Sequence, residues 1–562
     1  MKTLKFLLAI LFVATIVTSC SKKSSQGKMI PLDAGIVIDI NTKSLTSKLS
    51  WDEIKQTNWY KELMNDTTNS SAKIFIDDPK KTGIDLGEDI VMFLTKPMGD
   101  GHFVIEGSIK DANVFADFIK NVHSGTTTTK DGELNISTSE KGTLAWNDKK
   151  FALVTGMSKP SFDASMFGDS TQKTIPLANT SDKHMAYCKK LFSLKDDSSL
   201  YNNEKFADLV NEDGEVHFWM NAKELTAGNA AMGMMGMLKL DKFLDGNIST
   251  MSVSFDDGKI TGKNKFYAGK ELTDILKKNA EGKMNSDLLK KISSKNVAAV
   301  FNSHFRPESF VEMIKLTGLD GFINLMLAQQ GITLDDFAKA LKGDMFFAVT
   351  DLAIKDKGVT DTVYGMRADG GMKGIMEEGS FLFTLTIGEK DAFNKLLNAG
   401  KKMGSDTAMK NSFQKSDDKM FAVSNRQDVL NNYFTAKETD HDFIAKMSDH
   451  PFGLFIDLQN ILKATQFNVQ DSIEKISFAK NLSFWNNIYL TGGEYKSGGL
   501  VSTFEVNMMD NKTNSLKQLN KFADEMAAIE KGKKKKFKDW STDSTLNMID
   551  TAVIEKIKKK RS

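Results

Sequence analysis

The sequence predicts an α+β fold: two duplicated halves, each an antiparallel sheet with helices packed on one face, then a C-terminal helix and a basic tail. Three observations predict it. A short alternating apolar strand that runs into a helix start occurs four times. The elements between those copies return in the same order, and each half closes on a hairpin signal.

The four strand starts are Ile30–Asn41, Gly214–Asn221, Lys295–Asn302 and Pro451–Asp457. Their alternating apolar positions suit strands with one packed face. Between the first two lie strands over Asp89–Leu94 and His102–Ile109, then a helix with Val114, Phe115, Phe118, Ile119 and Val122 at helical spacing. Between the last two, Gly343–Val349 and Ser380–Ile387 precede a helix carrying Phe393, Leu396 and Leu397. Lys150–Thr155 and Met420–Ser424 add one strand to each half. Hairpins follow at Met251–Phe266, turning near Gly258, and at Ile488–Val506, turning near Gly498 and Gly499. Ser50 and Glu53 form a capping box for a helix with Ile54, Trp59 and Leu63. The halves occupy 29–280 and 285–510. They differ in one long loop, 354–378, against the short 95–101.

Residues 511–562 read as an amphipathic helix, with Leu516, Leu519, Phe522, Met526 and Ile529 on one side, and a basic tail. The lysine runs at 531–538 and 556–560 suit either a solvated terminus or attraction to an anionic surface.

The N-terminus gives the address. Lys2 and Lys5 precede an apolar run from Phe6 to Val17, the build of a secretory signal. Val17, Thr18, Ser19 and Cys20 form a lipobox, so residues 1–19 are a signal peptide and Cys20 the lipidated residue. Residues 20–28 then form the lipidated start and a flexible tether. By similarity to lipoprotein sorting, Ser21 favours the outer membrane, and the tether's lack of an acidic cluster favours a periplasmic orientation.

Bulk composition excludes several classes. The 75 basic and 73 acidic residues nearly cancel, so no nucleic-acid partner is expected. Beyond Cys20 the one cysteine is Cys188, which excludes an internal disulfide and reads as a small buried hydrophobe. The seven histidines are scattered without metal spacing, and no phosphate loop or nucleophile elbow occurs. Ser70 and Lys73 have a serine–lysine spacing found in penicillin-recognising enzymes, but Lys81–Gly83 follows too closely to serve that fold. The acidic pairs Asp77–Asp78, Asp196–Asp197 and Asp417–Asp418 read as solvated turns. No catalytic, cofactor-binding or metal residue is assigned, and no cofactor is expected.

The segment Ala231–Met237 is the most unusual. Met232, Met234, Met235 and Met237 are compatible with a buried helix, an adaptable partner surface, or a soft-metal site for Cu(I). They are the candidate partner surface.

The lipobox at Cys20, the opening strand Ile30–Leu45, the turn Asp78–Asp85 and the stretch Phe206–Trp219 together resemble an uncharacterised family of Gram-negative envelope lipoproteins, a domain-of-unknown-function family. The resemblance spans nearly the whole chain after Cys20. It implies the address and the architecture, and no activity or catalytic residue.

The expected function is a lipid-anchored envelope protein that binds or scaffolds in the periplasm without catalysis. Its partners would be the membrane, through the N-terminal lipid, and an envelope protein, glycan or lipid. Two alternatives stay open: a carrier or chaperone for an apolar ligand, and a hydrolase with an unfamiliar site.

Overall fold

The computed structural model describes residues 29–541 apart from 66–72, 74–76, 98–99, 123–125, 140–141, 157–180, 228–243, 353–361, 364–365, 368–378, 403–411, 436 and 466–471. One antiparallel sheet of 18 strands runs through it. Numbered in chain order, its strands lie in space as follows. From one edge come β4 (Thr128–Asp131), β5 (Leu134–Ser139), β6 (Gly142–Trp146), β7 (Lys150–Gly156) and β3 (His102–Ser108). Next are β2 (Ile90–Thr95), β1 (Ala34–Ile40), β8 (Val216–Asn221), β9 (Ile248–Asp256) and β10 (Lys259–Tyr267). Then follow β20 (Gly499–Met508), β19 (Trp485–Lys496), β18 (Phe452–Asp457) and β11 (Val297–His304). The far edge is β12 (Leu341–Thr350), β15 (Ser380–Ile387), β17 (Met420–Ser424) and β16 (Phe413–Ser416). A separate two-strand ladder joins β13 (Thr362–Val363) to β14 (Met366–Arg367).

Counted outward from the β10–β20 joint, the order is 10-9-8-1-2-3-7-6 on one side and 20-19-18-11-12-15-17-16 on the other. The correspondence extends to local irregularities. The β1–β2 register shifts between Ala34 and Ile36, and the β11–β12 register shifts between Val297 and Ala299. Non-glycine residues in the left-handed region, Lys96 (φ 42°) and Asp351 (φ 53°), end β2 and β12 alike.

Two expectations need correction. The halves do not form two sheets, because eight residue pairs from Lys259–Asn507 to Phe266–Leu500 fuse them. Helices also cover both faces of the sheet rather than one. β2 shows why: Ile90-Val-Met-Phe-Leu94 is a continuous apolar run, and a strand of that kind needs cover on both sides. Val91 and Phe93 enter a core with Val37, Val104, Val154 and Trp219, beneath helices Ser181–Phe192 and Glu204–Val210. Met92, Ile38 and Ile40 enter the opposite core with Leu45, Trp51 and Ile54. Strands β4 to β6 were announced by no periodicity, and β4 and β5 extend the first half beyond the common plan.

Local chemistry sets the helix starts. Asn41 accepts the Ser44 amide at 2.9 Å and caps helix Thr42–Lys48. The Ser50–Glu53 capping box is present in both directions, a feature worth about 1 kcal/mol. In helix Ala112–Val122, Phe115, Phe118 and Ile119 are buried while Val114 is exposed, so the expected apolar face is narrower than the sequence suggested. Gly258 and Gly498, both with positive φ, make the two hairpin turns.

The C-terminal helix, Ser515–Ser541, packs between the halves. Trp59 Nε1 donates to Asn520 Oδ1 at 3.0 Å, and Lys517 pairs with Glu53 at 3.0 Å. On the other side Phe522 stacks on Phe484 at 4.2 Å between ring centroids and meets Trp485 edge-on.

Candidate functional site

The helices that follow β1 and β11 differ in what covers them. After β1, Trp51, Ile54 and Tyr60 are buried, with Leu516 and Leu519 of the C-terminal helix against the same core. After β11 come helices Pro307–Thr317, Asp320–Ala328 and Leu334–Ala340. Their starts and ends are well specified: Pro307 at the first turn, Gly318 (φ 72°) at the stop, and a Thr333–Asp336 capping box. Asn324 Oδ1 accepts the Leu334 amide at 3.0 Å and fixes the last helix to the middle one.

The middle helix has no buried residue. Leu319, Ile323 and Leu327 are half-buried at four-residue spacing. Phe322, Leu325 and Met326, at the i, i+3 and i+4 positions of another face, are 62%, 65% and 54% exposed. Phe310, from the preceding helix, is also exposed and tilts against Phe337 at 5.4 Å. Scattered exposed apolar residues are ordinary, whereas large ones sharing one helix face mark an interaction surface. Between Lys315 and Lys339 the chain carries no Lys or Arg, and its charged residues are Asp320, Asp335 and Asp336. Asp335 pairs with Lys339 at 2.9 Å and Asp336 with Lys395 at 3.1 Å, so these acids are neutralised beside the apolar face.

The strongly perturbed titratable groups lie in the first half. Asp39 and Glu106 are 7% and 0% exposed. Burial pushes both carboxyls well up; the proximity of Asp89 adds to it at Asp39, and at Glu106 Lys150 opposes while Asp39 adds. Asp89 is pushed up to about 6 by burial and then by Glu88. At the start of β3, the His102 ring stacks on Tyr187 at 4.0 Å, with His184 edge-on at 5.8 Å. Burial, with help from His184 and Lys190, lowers His102 to about 4, so its imidazole is neutral near pH 7. These groups form core and ring-stacking arrangements. They resemble a reaction centre in their pKa directions alone.

The other described histidines have structural partners. His217 meets the Glu212 carbonyl and His441 the Ile292 carbonyl, both at 2.9 Å, and His304 and His450 face Asp344 and Glu494. Cys188 is buried 3.7 Å from the Thr143 carbonyl, its thiol pushed up to about 12, the behaviour of a small hydrophobe. Asp78 caps a short helix, Asp417 accepts two turn amides and Asp418 pairs with Lys390, as solvated turns do. Cys20 and the candidate surface Met232, Met234, Met235 and Met237 lie outside the described residues. Sequence reasoning missed helix Asp320–Ala328. The signal was there in its near-continuous apolar run without a basic residue.

Among the described residues, no group of three or more His, Cys, Asp or Glu side chains is arranged to hold a metal ion. No described helix is long and apolar enough to cross a membrane.

No curated protein matches the chain. Among solved structures, it is similar to TP0453 in crystal form I (TM-score 0.22, 10% identity, 45% of this chain and 81% of that one). Form IV gives a TM-score of 0.24 at 10% identity, over 44% and 81%. A likeness at that level carries no argument about role. The family model for a domain of unknown function, DUF4836, matches residues 27–516, which include every strand of the sheet, and the chain belongs to that family.

Proposed function

We propose that this protein is a lipid-anchored, periplasm-facing component of the outer membrane that acts by binding an envelope protein rather than by catalysis. The observation that carries the reading is the exposed face of Phe322, Leu325 and Met326. The lipobox at Cys20 supports the anchor, and the matching strand order on either side of the β10–β20 joint supports an ancestral duplication. After such a duplication, the first copy's helices lie under the C-terminal helix and the second copy's present their apolar face outward.

The occupant of that face is a protein with an apolar groove. Surface helices that seat on anionic lipid carry Lys and Arg instead, and these are missing from 316–338.

The test is crosslinking of the full chain in native envelopes from photoreactive groups at Phe322 and Met326, followed by mass spectrometry. One protein crosslinked in stoichiometric amount, and lost in Leu325→Ser, is the expected result. Adducts to lipid or glycan alone would sink the proposed partner class. Globomycin-type inhibition of signal cleavage tests the anchor separately, because a chain processed at Cys20 accumulates as its precursor.

A further inference from the structure

β2 and β12 end in the same geometry, and their surroundings differ. Thr95 pairs with His102 across β2 and β3, and Thr350 occupies the same register opposite Ser380 across β12 and β15. In the first half, the His102 imidazole and the Tyr187 ring fill the space at this end of the sheet. In the second half a serine replaces the imidazole. A cavity of about 210 Å3 lies there, lined by Lys291, Lys295, Thr350, Asp351, Arg426 and Tyr433 among others.

The lining has an unused donor. Thr350 is 2% exposed and its hydroxyl has no hydrogen-bond partner among the described residues; the neighbouring Ser380 hydroxyl is likewise buried and unpaired. Ser380 lies outside the lining, but buried hydroxyls are nearly always satisfied, so the unpaired Thr350 hydroxyl in the lining points to a missing acceptor. The acids of the lining are already engaged. Asp428 takes Arg426 through Nε at 3.1 Å and Nη2 at 2.6 Å, and Asp351 accepts the Ser294 hydroxyl at 2.7 Å. Lys291, whose Nζ lies 6.0 Å from the Tyr433 ring centroid, and Lys295 bring the lining cations to three against two acids. The left-handed Asp351 is no part of the case, since Lys96 repeats it in the filled half.

We infer that this cavity binds a small anion bearing a carboxylate or phosphate, whose oxygens accept from Thr350 and face Lys291 and Lys295. An apolar ligand would leave the Thr350 hydroxyl unpaired and is disfavoured. The site is independent of the docking face, and either can fail without the other.

The experiment is calorimetric titration of the full chain in detergent with inorganic phosphate, with citrate, and with glycerol as the neutral control. Saturable binding of phosphate or citrate, and not glycerol, is expected, and whichever binds names the acid group. Thr350→Val should weaken binding about tenfold, as expected for losing a hydrogen bond to a charged group, while raising the unliganded melting temperature because an unpaired hydroxyl is removed. Lys291→Ala with Lys295→Ala should weaken it at least as much. If neither anion binds saturably, if glycerol binds as well, or if the variants bind like the parent, the inference is wrong. The Thr350→Val melting temperature shows that a loss of binding does not come from unfolding.

Discussion

Asp39 and Glu106 flank Val91 from opposite neighbouring strands, so two carboxyls share one sheet face with a single apolar side chain between them. Asp39 Oδ1 and both oxygens of Glu106 lack hydrogen-bond partners among the described residues. At the corresponding positions of the second half, Asn302 and Thr384 flank Phe346. Burial raises both carboxyl pKa values, so the folded chain holds protons that the unfolded chain has released. The stability that this protonation brings is complete below the unfolded carboxylate range near pH 4 and declines as pH rises towards the folded pKa. Each group contributes a slope of about 1.4 kcal/mol per pH unit in that window. Asp39→Asn and Glu106→Gln should each flatten the denaturation free energy measured from pH 4 to 7. An unchanged slope in both variants would show that neither carboxyl is protonated in the fold.

His102 acts in the opposite direction. Its folded pKa of about 4 lies below that of an exposed imidazole, so the unfolded chain takes up the proton first. Stability therefore falls as pH drops from about 6.5 to 4. His102→Phe keeps the stack on Tyr187 and should remove this acid-side loss. Urea denaturation at pH 7 and pH 4.5 measures it, and equal losses in parent and variant would exclude the depressed imidazole.

Glu215 is a buried carboxylate of another kind. It accepts the Ser44 hydroxyl at 2.7 Å and the Phe255 amide at 2.8 Å, and pairs with Lys48 at 2.7 Å, tying helix Thr42–Lys48 to β9. Its truncation strands three donors at once. Glu215→Ala should cost about 3–5 kcal/mol, read from the urea midpoint. A loss under 1 kcal/mol would mean that water replaces the carboxylate.

The β10–β20 joint depends on one close approach. A Cβ on Gly262 would stand 2.0 Å from Cε1 of Phe504, so the ring lies directly over the glycine backbone. Gly262→Ala should destabilise the joint by about 1–3 kcal/mol through overpacking, and Phe504→Ala added to it should recover part of that loss. The double-mutant cycle is the measurement; strictly additive effects would place the ring elsewhere.

Most strands were legible because a period of two with apolar bias is local information; β1, β8 and β18 lie within the segments that carried it, and β11 runs on to His304, past the Asn302 end of its segment. The Ser50–Glu53 capping box and the turns at Gly258 and Gly498 were legible for the same reason. β4 to β6 were not: Thr128–Asp131 is wholly exposed and carries no apolar pattern. Helix Asp320–Ala328 was passed over because an apolar run does not declare whether it is covered. The cavity was hidden because Lys291, Thr350 and Arg426 lie far apart in sequence.

The sequence by itself determined the α+β class, the order of the strands along the chain, the cap and turn chemistry, and the expectation of a lipid anchor at Cys20. Tertiary structure alone decided that β10 and β20 join the two halves into one sheet, that both faces are covered, and that Asp39 meets Glu106 across Val91. The physical reason is one of range. Propensity, periodicity and capping act over a few residues, whereas edge pairing and burial are settled by competition among segments hundreds of residues apart.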